Sequence, residues 1–184
     1  MCGEYACPAQ SLEAYASGSA NVVICKSMSK VYALSGVRAA YLCGPRNLME
    51  ERRSLCPPWS VSLPAQMAAC EALKAQDDYG ARWEETHQLR DELREHLLRL
   101  GRAVVPGYAN FLLCHLPKDG PDAATLARAL RTRRLFVRDV SNMGTGFDGR
   151  AVRIAVKDRH TNLWMIEILE TILAEMNGAV THAA

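Results

Sequence analysis

No apolar run in this sequence approaches the ~20 residues needed to cross a bilayer, so no membrane span is expected. No CxxC pair occurs among the seven cysteines, Cys2, Cys7, Cys25, Cys43, Cys56, Cys70 and Cys114. Their odd number and scatter argue against a disulfide scaffold and a zinc site. They point instead to a reducing, cytoplasmic setting. His87, His96, His115, His160 and His182 stand alone without ligand spacing, and no metal is expected. Neither sign of charge is in excess: 22 Lys+Arg against 20 Asp+Glu leave +2, which excludes a nucleic-acid binder by bulk electrostatics. A disordered chain would be poorer in apolar residues than 49% and more heavily charged than 23%. The first residues, MCGEYACPAQ, lack a basic patch followed by an apolar core and do not read as a signal peptide. No internal repeat is visible.

The 184 residues that remain suffice for one domain of ~150 residues or two small ones. Residues 1–20 are small, polar and proline-interrupted. Asn21 to Cys25 is a continuous apolar run and reads as a buried strand of a mostly parallel sheet. Ala39 to Cys43 is a second. Residues 46–55 and Ser62 to Ala75 read as helices, the latter tolerating Pro64 in its first turn. Asp77 to Leu100 is the longest periodic stretch, with Tyr79, Trp83, Leu89, Leu93 and Leu97 near a 3.6-residue spacing and Gly101 as its stop. Beyond it, Val104-Val105, Asn110 to Leu116, Leu135 to Val137 and Ala151 to Val156 read as strands. Ala123 to Arg133 and Leu163 to Met176 read as helices, with Trp164 and Met165 as core. Residues 141–150 are a glycine-rich loop without a Walker lysine. The reading is an α/β protein: 1–76 the remnant of a large domain, 77–100 a linking helix, and 101–184 a small α/β domain. A two-stranded parallel sheet needs neighbours and cover, so a leading part is expected to be missing.

The densest chemistry is Cys25 to Arg38, CKSMSKVYALSGVR. A strand ends and is followed by hydroxyls, a lysine, a glycine and an arginine, and ligands of α/β folds bind beyond the carboxyl ends of strands. Ser27 and Ser29 can donate to phosphate oxygens, and Arg38 can hold a phosphate bidentately. Lys30 can act as the amine that bonds a carbonyl cofactor. The bland reading is a solvated surface lysine beside serines. Ser27-Met28-Ser29-Lys30 also fits the Ser-x-x-Lys signature of penicillin-binding enzymes, but the chain has no Lys-Thr-Gly and only Ser141-Asn142 of the Ser-Asp-Asn element. Arg153 on an alternating strand could simply pair with an acid, and Arg138 with its neighbour Asp139.

The stretch Ser27 to Arg38, with an arginine eight residues beyond Lys30, closely resembles the cofactor-lysine motif of fold-type I pyridoxal-phosphate (PLP) enzymes. The nearest group is the histidinol-phosphate aminotransferases and their relatives. Ala109 to Leu113, Phe136 to Asp139 and Val152 to Val156 resemble that family's small-domain landmarks in the same order. The resemblance implies the fold-type I fold, with an incomplete large-domain sheet and a small C-terminal domain. It implies that Lys30 binds the cofactor and moves the substrate proton. Ser27, Ser29 and Arg38 would bind the cofactor phosphate. Arg153 would clamp the substrate's anionic group with Arg138 assisting, and Asn110 would lie near the substrate entrance. Tyr32 would pack beside the lysine loop.

In the family an Asp pairs with the pyridine nitrogen in an Asp-Glu-x-aromatic element. Glu4-Tyr5 resembles the tail of that stretch, so the Asp would fall just before Met1, and Cys2 stands where an aromatic is usual. The chain therefore resembles the C-terminal half of an aminotransferase. The implied function is transfer of an amino group from an amino acid, or a phosphorylated amino alcohol such as histidinol phosphate, to a 2-oxo acid. It would belong to amino-acid biosynthesis, in a homodimer. The alternatives are a decarboxylase of the threonine-phosphate type and a catalytically silent fragment.

Overall fold

The computed structural model describes residues 11–181. The expectations placed on Cys2, Glu4, Tyr5, Cys7 and His182 lie outside the described residues. The chain divides into two compact units, Met1–Trp83 and Glu84–Ala184. Their boundary falls inside the long helix.

The first unit holds α1 (Glu13–Gly18), β1 (Ile24–Ser27), α2 (Met28–Val31), β2 (Ala40–Cys43), α3 (Arg46–Ser54), α4 (Leu63–Lys74) and the start of α5 (Gln76–Arg99). Its two strands correct the expected parallel pairing. They run antiparallel, with Ile24 opposite Cys43 and Ser27 opposite Ala40. Nor are they buried on both faces, because half-buried and exposed positions alternate along each. Cys25 and Leu42 share the outer face, where both are exposed. The apolar run that suggested a buried strand spends part of its apolar residues on that open face. β1 also starts and ends later than expected, and Ser27 then caps the single turn of α2, its Oγ accepting from the Ser29 N–H at 3.3 Å. α1 was not expected in residues 1–20. α4 begins where Ser62 accepts from the Ala65 N–H, with proline in its first turn. The core here is small: Met28, Val31, Tyr32, Ala39 and Ala72, flanked by Tyr79 and Trp83.

The second unit holds the rest of α5, then β3 (Ala103–Val105), β4 (Phe111–His115), α6 (Ala123–Thr132), β5 (Arg138–Asp139), two single-turn 3-10 segments, β6 (Ala151–Ala155) and α7 (Arg159–Thr181). Its sheet is antiparallel throughout, in the order β3-β4-β6-β5. α5 ends at Gly101, whose φ of +72° suits a residue without Cβ. The Gly101 N–H donates to the Leu98 carbonyl and the Arg102 N–H to the Leu97 carbonyl, the double closure of a Schellman turn. α6 is capped by Asp122, which accepts from the Thr125 N–H at 2.7 Å. Asp158 precedes α7 and accepts from the Thr161 N–H at 2.9 Å.

The strand expected at Leu135–Val137 lies instead at Arg138–Asp139. Leu135 is still closing α6, its N–H donating to the Leu130 carbonyl while Arg134 takes a positive φ of 60°. The core of this unit packs Leu93 and Leu97 of α5, Leu112 and Cys114 of β4, Leu126 and Leu130 of α6, Val152 and Ile154 of β6, and one face of α7. Met165 belongs to that face. Trp164 does not: it is 41% exposed, one position off the buried stripe of Met165, Ile166, Leu169, Ile172 and Leu173.

Candidate active site

β1 delivers Ser27 and the turn of α2 delivers Ser29 and Lys30. Met28 and Val31 are the buried residues of that turn, so Lys30 is left exposed. Its ammonium makes no hydrogen bond or ion pair with any described residue. Ser27 Oγ donates to Ser29 Oγ at 3.0 Å, holding the two hydroxyls together. Arg38 closes the segment in a left-handed conformation at φ 58°, as does Ala33 at φ 54°. Non-glycine residues rarely adopt this region, and such strain collects at functional sites. One Arg38 Nη donates to the Ser35 carbonyl at 3.3 Å. The rest of its guanidinium has no partner among the described residues. Two hydroxyls, a guanidinium and an amine within twelve residues suit a ligand that carries both a phosphate and a carbonyl.

Two aromatic residues hold this segment from behind. The Tyr79 hydroxyl donates to the Tyr32 carbonyl at 3.2 Å, and Trp83 Nε1 donates to the Val31 carbonyl at 3.1 Å. The Tyr32 ring meets Tyr79 edge-on at 5.0 Å and Trp83 at 5.9 Å. These carbonyls end the turn that carries Lys30, so the first part of α5 fixes the lysine's backbone. The sequence reading placed Tyr79 and Trp83 only on an apolar helix face.

On the other side of the hairpin, Glu13 accepts from Lys26 Nζ at 2.9 Å, from the Tyr41 hydroxyl at 2.6 Å and from the Ser11 hydroxyl. Partial burial alone would raise its carboxyl. The hydrogen bonds from Ser11, Tyr41 and Lys26, with the lysine's charge, outweigh burial and hold the carboxyl at about 2. Burial and the bond to Glu13 push Tyr41 well above its ordinary value, so it remains a donor.

In the second unit, Arg138 and Arg153 stand directly opposite each other across β5 and β6. Opposed residues of an antiparallel pair share a face, and like charges there repel. Arg153 lies over the Phe111 ring at 4.7 Å, a cation–π contact, and pairs with no acid among the described residues. Asp139 makes no ion pair with Arg138 among the described residues; its carboxylate accepts from the Ser141 N–H at 2.9 Å and from the Ser141 hydroxyl. Alternation puts Phe111, Leu113 and Arg153 on the face away from the core residues Leu112, Cys114 and Val152. Asn110 is half-buried at the start of β4, its carbonyl accepting from the Val156 N–H at 3.0 Å. An arginine pair on an open face is equipped to take an anion. Burial pushes the Cys114 thiol up to about 12, so it stays protonated and is no nucleophile.

Ser27, Ser29, Lys30 and Arg38 thus share one segment of the first unit, and Arg138 and Arg153 share one sheet face of the second, with Asn110 at the mouth of β4. The sequence model of the aminotransferase class I and II family matches residues 3–171. The chain belongs to that family. It is 31% identical over 160 residues to a histidinol-phosphate aminotransferase of Rhodopseudomonas palustris strain BisA53, a match covering 86% of this chain and 43% of that protein. The chain thus spans less than half the length of that relative. Among solved structures, the histidinol-phosphate aminotransferase of Clostridium acetobutylicum superposes with a TM-score of 0.74 at 25% identity, over 83% of this chain and 46% of that one. The L-threonine-O-3-phosphate decarboxylase of Porphyromonas gingivalis gives 0.73 at 28% identity, over 88% and 50%. Among the described residues no helix is long and apolar enough to cross a membrane.

Proposed function

We propose that this chain carries the lysine half of a PLP-dependent aminotransferase site. The reaction would move an amino group between an amino acid, or a phosphorylated amino alcohol such as histidinol phosphate, and a 2-oxo acid. The observation that carries the reading is Lys30: an exposed amine, without a polar partner among the described residues, beside two paired hydroxyls and Arg38, in a chain of the aminotransferase family. Ser27, Ser29 and Arg38 bind the cofactor phosphate, and Lys30 holds the cofactor's carbonyl end. When bound, pyridoxal phosphate supplies the electron sink that side chains lack. Lys30 Nζ then moves the proton at the substrate Cα. Tyr79 and Trp83 keep the lysine's turn in place. Arg153 binds the anionic group of the substrate with Arg138 beside it, and Asn110 borders the entrance. We assign 1–76 to the large domain, 77–100 to the linking helix and 101–184 to the small domain. A homodimer and a cytoplasmic setting complete the reading, the latter supported by the free thiols of Cys25, Cys43, Cys56, Cys70 and Cys114.

The test is to mix the chain with PLP, reduce with borohydride and map the labelled peptide. A stoichiometric adduct on Lys30 that disappears in Lys30→Ala is the expected result. Labelling scattered over several lysines overturns the assignment of Lys30. The similarity to the threonine-phosphate decarboxylase favours one second reading, decarboxylation on the same lysine. Release of carbon dioxide from a phosphorylated amino acid, without a 2-oxo acid acceptor, would select it.

A further inference from the structure

In the sheet order β3-β4-β6-β5, Arg153 of β6 stands between two unlike neighbours. On the β5 side Arg138 is directly opposite. On the β4 side Leu113 is directly opposite, and Phe111 is the diagonal neighbour two positions along. Diagonal neighbours in a sheet lie within reach of long and aromatic side chains. Arg153 takes the diagonal: its guanidinium carbon lies 4.7 Å from the centre of the Phe111 ring. The two other arginine–ring contacts among the described residues, Arg90 over Tyr108 and Arg131 over Phe136, are longer, both at 5.8 Å. The register partner of Phe111 is Ala155, a single methyl group that leaves room for the guanidinium over the ring. The nature of the partner matters. A carboxylate would hold Arg153 by its N–H edge, the same edge a planar anion needs. A ring attracts the cation through its π face and uses none of the five N–H donors. Arg153 is thus held without being neutralised.

We propose that Phe111 is a positioning residue for the anion clamp: its ring sets where the Arg153 guanidinium lies before an anion arrives, and occupies no N–H donor in doing so. The proposal rests on the reading of Arg153 as the group that binds the substrate's anionic end. Phe111 acts through Arg153 and needs no contact of its own with the substrate. A long side chain loses rotamer freedom when it is fixed by a ligand, and one already held by a ring loses less. A cation–π contact at a half-exposed site corresponds to about a two- to fivefold change in affinity.

The test is NMR of the full chain, following the Arg153 Nε–H in the wild type, Phe111→Leu and Phe111→Tyr. The leucine keeps an apolar group and loses the π face; the tyrosine keeps the face. The Val152 and Ile154 amides, on the core side of the sheet, report the fold. Without ligand, the Arg153 side chain should show a ring-current shift and restricted motion in the wild type and Phe111→Tyr, and neither in Phe111→Leu. An Arg153 signal unaltered in Phe111→Leu overturns the positioning role whatever the chain binds. In a titration with 2-oxoglutarate, a saturable shift of the wild-type Arg153 Nε–H is expected. It should need about two- to fivefold more probe in Phe111→Leu and the wild-type amount in Phe111→Tyr. A wild-type response that Phe111→Leu leaves unchanged, or that both variants weaken equally, overturns the proposal alone. A wild-type Arg153 with no saturable response up to about 10 mM probe overturns the anion reading of Arg153, and the proposal with it. Should Phe111→Leu fail to fold, nuclear Overhauser contacts between the wild-type Phe111 ring and the Arg153 side chain decide, their absence overturning the proposal.

Discussion

Arg138 and Arg153 stand opposite each other in the β5–β6 register, and neither pairs with an acid among the described residues. Such a pair costs roughly 0.2–1 kcal/mol. Arg138→Gln should therefore raise thermal stability slightly in the absence of ligand while weakening binding of an anionic substrate. Equal or lower stability in a melting experiment would remove the repulsion argument. Arg134 offers a second residue-level test. It occupies a left-handed position at φ 60° just past α6, where glycine fits without strain. Arg134→Gly should stabilise by about 1 kcal/mol, read as a shift of the urea midpoint. At this scale the sequence was informative wherever chemistry is local. Lys30, the two serines and Arg38 are legible because their spacing lies within one short segment. Arg153 is legible from its place in an alternating strand, but its opposition to Arg138 depends on a register no local pattern states. Tyr79 and Trp83 were legible as helix-face residues only. Their partners lie 47 and 52 residues away, and nothing in a 3.6-residue period names a distant carbonyl.

Among elements, the ones with strong periodicity or caps were legible to within a few residues: α3, α4, α5, α6, β4 and β6. α1 was not, because six residues carry too little period to register, and its stability comes from elsewhere. Glu13 ties it to Lys26 and Tyr41 of the hairpin. Because the folded carboxyl sits at about 2 instead of the ordinary 4.5, its contribution is fully present above the ordinary value. It is lost as pH falls from there through about 2. Acid unfolding of the first unit should lose part of this pH dependence in Glu13→Gln, followed by near-ultraviolet circular dichroism. The same logic of remote anchorage applies to α2. Tyr79→Phe deletes one hydrogen bond, about 1 kcal/mol. It should speed amide exchange across residues 28–34 and lower the yield of the Lys30 adduct, with the α6 amides unchanged. Unaltered exchange at 28–34 would show that Tyr79 does not position the lysine.

At the scale of the whole molecule, the two units differ in how much core they own. The second packs helices from both ends of its sequence on one sheet face. The first has a handful of buried residues and leaves Leu42, Leu55, Leu63 and Met67 more than half exposed, with Trp59 at 92%. Regions with few buried apolar contacts open first. Brief proteolysis should therefore cut within residues 11–75 and leave a fragment containing β3 to α7. Equal lifetimes for both parts would contradict the difference in core.

β5 is only two residues long and lies at the outer edge of its sheet. Half of it is an arginine pushed by the arginine opposite, so the edge opens more readily than its neighbours. An anion that bridges the two guanidiniums turns that repulsion into a clasp. The residence time of the ligand and the lifetime of the sheet edge then become one quantity. Amide exchange at Asp139 and Val140 should slow in step with occupancy, which makes the strand's own backbone a clock for the ligand.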